Sequence, residues 1–419
     1  MKIAVVSPYP PSKGTLNEYA YHLIESMRLK EEVEEIIILT DKIEEEYSVD
    51  AKIGSCKITV IPCWNFNSYT TLFSIIRQIK KVKADIALYN IQFLSFGDKK
   101  VPGALGLLMP LLTRMTGVPA VTLLHNITET VDYKSAGITE SKLMQWAYNR
   151  IGTFLTKLLL KSNLLAVTMP KYVRILEKKY RAKNVALIPH GSFEVPKLPL
   201  VARPKKKQIM TFGKFGTYKK VEEMIEAVQL VRKRTGEELE IVIAGTDNPN
   251  VRGYLGRVEE QYKHVKDLRF TGYVEEEDVP FIFSQSSVVV FPYTSTTGSS
   301  GVLHQAGSFA KAVVLPNIGD LKELIEEEGY RGEYFQPSDI ASLADAIERL
   351  VIDSEYRYEM GQINYAAASS LPMSDIADWY LIHFMNIAGV NKVRKATTPE
   401  IKNQPMPANP DLALNTVKL

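Results

Sequence analysis

The chain has 419 residues, of which 45% are apolar and 24% charged, with a formal net charge of +3. That length exceeds one ordinary core and asks for two or three domains, and the near balance of 51 basic and 48 acidic residues removes any electrostatic argument for a nucleic-acid partner. Cys56 and Cys63 form no metal-ligand pattern with the six histidines, which argues against a zinc centre and a disulfide framework.

The N-terminus, MKIAVVSPYPP, reads as a first strand, since a signal peptide needs a longer apolar region and a small-residue cleavage site. Short β-rich runs follow at Glu35 to Leu39, Ile58 to Ile61, Ile86 to Tyr89, Ala120 to Leu124, Leu164 to Val167 and Val185 to Ile188. Amphipathic segments such as Glu18 to Arg28, Leu72 to Val82 and Ser141 to Lys161 lie between them. Strand and helix alternating in this way predict an α/β, doubly wound parallel sheet, whose ligands sit beyond the carboxyl ends of the strands.

Two loops at those ends stand out. In Ser7 to Glu18 the prolines extend the chain, Gly14 frees a turn, and Thr15 or Asn17 is placed to cap the next helix. In LLHNITE a strand ends on His125, either a satisfied structural histidine or a donor to a sugar hydroxyl or phosphate at the cleft rim. No apolar stretch reaches the length of a membrane span. Val101 to Met115, apolar with Pro110 inside it, is either a buried helix or, with Arg77, Lys80, Lys81, Lys83 and IGTFLTKLLLK at 151–161, part of a face that meets a membrane surface. A cytoplasmic protein, with room for peripheral contact at the inner face of the membrane, is the expectation.

Three prolines and a basic run mark 194–206 as a linker between a first domain, 1–193, and a second, 207–372. The alternation restarts there, with strand-like runs at Gln208 to Phe212, Leu239 to Ala244, Leu268 to Thr271, Ser287 to Phe291 and Val313 to Pro316. Four strand-end loops could surround a nucleotide diphosphate. The first holds Gly213 and Gly216 with Lys214 and Lys219, two cations at a helix start that suit a diphosphate. The second turns at Gly245, and the third offers Tyr273 and Val274 to a base. The fourth, Thr296 to Gly301, opens a helix at Val302, so that Gly298, Ser299, Ser300 and Gly301 present free backbone to an anion, unless they are simply a capped turn. Helical segments at 339–351, 355–368 and 374–387 close the chain, and the aperiodic 391–419 reads as a mobile tail.

These residues resemble the retaining glycosyltransferases of the GT-B fold, in particular the large fourth family (glycosyl transferases group 1) that includes sucrose synthase-like and phosphatidylinositol mannosyltransferase-like enzymes. The resemblance covers about residues 1 to 390. It implies two Rossmann-like domains facing across a cleft, with a last helix, 373–390, crossing back to the first. It gives Gly14-Thr15 to the glycine-rich loop after the first strand, His125 to the donor sugar, and Lys214 with Lys219 to the diphosphate, a lysine standing where arginine is usual. Gly272 to Val274 would lie by the base, and Pro189-His190-Gly191 at the domain junction. In the family two glutamates are separated by seven intervening residues, the first near the sugar and the second on the ribose. Here Thr297 takes the first place and Gln305 the second, which keeps hydroxyl recognition at the ribose and removes a carboxylate from beside the sugar.

The resemblance implies transfer of a sugar, with retention and without a bound metal or cofactor, from a UDP- or GDP-sugar to a hydroxyl acceptor on a glycan, a lipid-linked carrier or a small molecule. Lys214, Lys219 and the helix start after Ser300 would stabilise the leaving diphosphate. The rival is a non-catalytic nucleotide-sugar-binding protein or a partner subunit of an active transferase, motivated by Thr297. An epimerase would carry more carboxylates around the sugar, and a phosphorylase a lysine in a pyridoxal-binding context.

Overall fold

The computed structural model describes residues 1–45, 47, 56–130, 141–197, 206–248, 251–295 and 299–389. The strands are β1 (Lys2–Val6), β2 (Glu35–Asp41), β3 (Lys57–Trp64), β4 (Ile86–Ile91), β5 (Ala120–Leu124), β6 (Leu164–Val167), β7 (Val185–Leu187), β8 (Lys207–Phe215), β9 (Leu239–Asp247), β10 (Leu268–Phe270), β11 (Val288–Val290), β12 (Ala312–Pro316) and β13 (Glu333–Phe335). The helices of the first domain are α1 (Asn17–Met27), α2 (Thr71–Val82), α3 (Lys100–Leu107), α4 (Met109–Met115), α5 (Lys142–Leu159) and α6 (Pro170–Tyr180). Those that follow are α7 (Val221–Thr235), α8 (Tyr254–Gln261), α9 (Val279–Gln285), α10 (Gly301–Ser308), α11 (Gly319–Glu328), α12 (Ile340–Ile352), α13 (Ser354–Ser369) and α14 (Met373–Ala388).

Two parallel sheets result. The first runs β3-β2-β1-β4-β5-β6-β7 and the second β10-β9-β8-β11-β12-β13. Both are doubly wound, and each reverses direction once, between β1 and β4 and between β8 and β11. Central strands such as IALYNI in β4 and VVV in β11 are buried along their whole length, as strands covered by helices on both faces must be. The helices show the complementary pattern: in α2, Leu72, Ile75 and Ile79 are buried on one face while Lys80 and Lys81 close the last turn. Asp339 and Asp353 cap α12 and α13 by accepting from the N–H of Ser342 and Tyr356.

Four features differ from what the sequence predicts. Val101 to Met115 is two helices, α3 and α4, not one; Pro110 falls in the first turn of α4, where a missing N–H costs nothing. Gly213 and Lys214 are not in a loop, because β8 continues to Phe215, and Gly245 is not a turn, because β9 continues to Asp247. Gly213 and Gly245 are register partners, both at φ 134°, and a Cβ on Gly245 would lie 1.9 Å from the Gly213 carbonyl oxygen. The pair is glycine so that two backbones can touch. Finally, neither Thr15 nor Asn17 caps α1: the N-cap is Leu16, at φ 73°, and the Asn17 amide donates back to the Ser12 carbonyl.

The last helix, α14, packs on the first domain. Met373, Ile376, Ala377, Tyr380, Leu381 and Phe384 share a buried cluster with Tyr19, Leu23 and Met27 of α1, and Lys30 pairs with Asp378 at 2.7 Å. The expected linker lies partly, and the expected tail wholly, outside the described residues.

Candidate functional site

The points where strand order reverses put the loops after β1 and β8, the ends of β4 and β5, and the start of α10 around one cleft. On the first side, Ser12 holds the loop: its hydroxyl donates to Asp41 at 2.6 Å and accepts from the Gly14 N–H at 3.2 Å. A Cβ on Gly14 would meet Pro8 Cβ at 2.9 Å, so the loop folds tightly only with glycine there; Thr15 is exposed.

His125, just past β5, is buried. Asn90 on β4 donates to the Ser7 hydroxyl at 2.9 Å, which turns its carbonyl oxygen toward His125 Nε2 at 2.7 Å. The imidazole is therefore protonated on Nε2 and keeps Nδ1 as an acceptor. Burial, with the neighbouring His190 adding to it, holds its pKa well below the ordinary range, so the ring is neutral and not a cation.

On the second side, Lys214 leaves β8 and its Nζ donates across the cleft to the Lys13 carbonyl at 3.2 Å. Lys219 stands beside Gly213, where a Cβ would lie 3.0 Å from its Nζ, and its ammonium sits 4.6 Å from the Tyr293 ring centroid. Lys219 has no carboxylate partner among the described residues. Burial lowers the Lys214 pKa; Glu18 opposes that shift and the charge on Lys219 adds to it. Two ammonium groups on the same side of the cleft favour an anion there.

The helix after Ser300 begins at Gly301, and Ser300 makes no side-chain cap, so the first N–H groups of α10 stay available at Gly301 and Val302. Ser299 bonds the Thr168 hydroxyl of the first domain at 3.3 Å. Gln305 donates to Glu18 Oε1 at 2.8 Å, again across the cleft. Tyr273 is exposed, its ring covered on one face by the Lys13 ammonium at 4.7 Å from the centroid, while Val274 packs partly buried against the core. Gly245 lies inside β9, behind the strand ends. Thr297 and Gly298 lie outside the described residues.

Glu18, His22 and His304, none of them singled out by a sequence motif, converge here with His190. His22 and Glu18 come from α1, His190 from the domain junction and His304 from α10; with His125, four of the six histidines cluster at the cleft. His190 and His304 stack at 4.9 Å, and burial pushes His190 down to about 4. Burial first, then the charge on Glu276, raises Glu18 to about 7. The one sequence signal for this grouping was the i, i+4 spacing of Glu18 and His22, which puts both on one helix face.

Residues 206–353 match the family model described as glycosyl transferases group 1. The second domain is a glycosyl transferases group 1 domain. The group 1 segment contains Lys214, Lys219, Tyr273, Ser300 and Gln305, the whole second side of the cleft. Alpha-D-kanosaminyltransferase of Streptomyces kanamyceticus is 28% identical over 158 residues, 37% of this chain and 39% of that protein, so the likeness spans well under half of the curated relative. Among solved structures, sucrose-phosphate synthase from Thermosynechococcus elongatus superposes with a TM-score of 0.71 at 16% identity, over 93% of this chain and 100% of that one. HepE of Anabaena, in complex with UDP and glucose, gives 0.65 at 15% identity over 92% and 100%. These likenesses show the GT-B fold, two Rossmann-like domains, over nearly the whole chain.

Proposed function

We propose that this protein transfers a sugar from a nucleotide diphosphate sugar to a hydroxyl acceptor, with retention of configuration. The observation that carries the reading is the pair Lys214 and Lys219, two ammonium groups at the end of β8, with the Gly14 loop reached by Lys214 on one side and the uncapped start of α10 on the other. The group 1 match and the UDP in the HepE structure support a nucleotide diphosphate sugar, with uridine as the first nucleotide to try.

In this reading the bond from the anomeric carbon to the diphosphate oxygen breaks as the acceptor oxygen bonds to that carbon on the same face. The acceptor proton passes to the departing phosphate oxygen. Lys214, Lys219 and the N–H groups at the start of α10 stabilise the charge that gathers on the diphosphate. His125 accepts from a sugar hydroxyl through Nδ1, and Gln305 reads the ribose. Domain closure excludes water and holds the acceptor at the reacting carbon.

The acceptor side of the reading is an anionic or lipid-linked molecule met at a membrane surface. Helix α5 exposes Leu143, Trp146, Ile151 and Phe154, and its far end leads into a groove of about 600 Å³ lined by Lys157, Lys161, Lys179, Arg181 and Lys183. Exposed apolar side chains beside clustered cations suit the boundary of an anionic bilayer. Flotation with anionic liposomes, lost in Phe154→Glu, supports this contact; failure of the wild type to float removes it.

A thermal-shift panel of UDP, GDP, ADP and their sugar conjugates tests the donor. Selective stabilisation, followed by slow release of free diphosphate, is the expected result. Selective binding without release in a broad acceptor mixture favours the non-catalytic reading that Thr297 suggests.

A further inference from the structure

We propose that Glu18, His22 and Glu276 form a binding site for one divalent transition-metal ion that fastens the two domains together. Glu18 and His22 are four residues apart on α1 and project from one face of it. Glu276 comes from the other domain, in the 3-10 turn Glu276–Asp278, and its Oε1 lies 3.0 Å from His22 Nε2. One donor atom from each residue falls within 4.8 Å of the other two. Metal bonds of about 2.0–2.2 Å place tetrahedral donors about 3.3–3.6 Å apart. The present spacing closes to that by small side-chain rotations.

The charges at the site explain why a cation belongs there. Two carboxylates from opposite domains and one imidazole lie with donor atoms within 4.8 Å of one another, and Glu276 is flanked by Glu275, Glu277 and Asp278. Lys214 also faces Glu18 and offsets part of this charge, while its ammonium donates to the Lys13 carbonyl on the other side. Like-charged groups pressed together in a half-enclosed site are relieved by a divalent ion. Neighbours already hold the ligands in place. Gln305 fixes Glu18 Oε1 and leaves Oε2 without a hydrogen bond among the described residues, and Phe193 stacks on the His22 ring at 4.3 Å with planes 14° apart. Such support around a ligand set orients it and raises affinity. One nitrogen and two oxygens suit zinc, cobalt or manganese better than magnesium or calcium.

Because the ligands come from both domains, the ion binds the closed form best and shifts the population toward it. Exchange of a nucleotide through the cleft then slows while the ion is bound.

Calorimetric titration of the full chain, stripped with chelator, with zinc chloride and then manganese chloride tests the proposal. No nucleotide is present, so the outcome does not depend on the transfer reaction. One ion per chain is expected, with His22→Gln and Glu276→Gln each weakening it by more than about tenfold. Small-angle scattering should show compaction with metal in the wild type and none in Glu276→Gln. Glu276 is half exposed, so its amide variant keeps the fold and the comparison stays valid. Absence of binding overturns the proposal, as does an affinity in both variants equal to that of the wild type.

Discussion

The side-chain amide of Gln305, on α10, donates to the carboxylate of Glu18, on α1, at 2.8 Å. One residue belongs to each domain, so the bond exists only while the cleft is closed. His22 with Glu276, Lys214 with the Lys13 carbonyl, and Ser299 with Thr168 repeat the pattern around it.

Removing the acceptor at Glu18 should therefore open the molecule. Glu18→Ala leaves the Gln305 amide without its partner, at a cost to the closed form of roughly 1–2 kcal/mol. Small-angle scattering of the unliganded chain should report a larger radius of gyration. An unchanged radius would show that the other cross-cleft contacts suffice.

Gly245→Ala should prevent folding of the second domain. The new Cβ would fall on the Gly213 carbonyl, and the φ of 134° is one that alanine avoids. Circular dichroism and expression level check this, and a soluble, cooperatively melting variant would contradict it.

The attachment of α14 predicts a stability effect far along the chain from the domain it touches. Phe384 is fully buried against α1, so Phe384→Ala should cost about 3–5 kcal/mol and lower the melting temperature of the first domain. A loss below about 1 kcal/mol would mean that α14 is only loosely docked.

Glu328 gives a pH dependence with a definite sign. Its side chain is buried, its Oε2 lacks a hydrogen bond, and burial raises its pKa from 4.5 to about 8. Between those values the folded state holds a proton that the unfolded state has lost. Its contribution is thus complete below about pH 4.5 and disappears as pH rises through about 8. Melting temperature should fall over that range in the wild type and fall less in Glu328→Gln. Parallel slopes would contradict the assignment.

The alternation of strands and helices was legible because buried parallel strands are continuous apolar runs, as in IALYNI and AVVLP, and need no partner to be recognised. The strand β13 was not legible. Three residues, EYF, carry no period, and only the sheet edge offered by β12 makes them a strand. The end of β8 was misread because glycine usually ends a strand, whereas Gly213 continues one by touching a second glycine 32 residues away. At the cleft, Lys214 and Lys219 could be picked out from their place around the end of a strand. The grouping of His22, His125, His190 and His304 could not, since parallel crossovers and a domain junction bring together residues that have no common spacing. Beyond its i, i+4 spacing with His22, nothing in the sequence marks Glu18, because its partner, Gln305, lies in the other domain.

The most direct test of the central claim is the rate at which free nucleoside diphosphate appears from a stabilising sugar nucleotide, in the wild type and in Lys219→Ala. Lys219 has no carboxylate partner among the described residues and packs by Tyr293, so the variant should fold normally. The account predicts measurable release by the wild type and a fall of about a hundredfold to a thousandfold in the variant. Equal rates in the two proteins would contradict it.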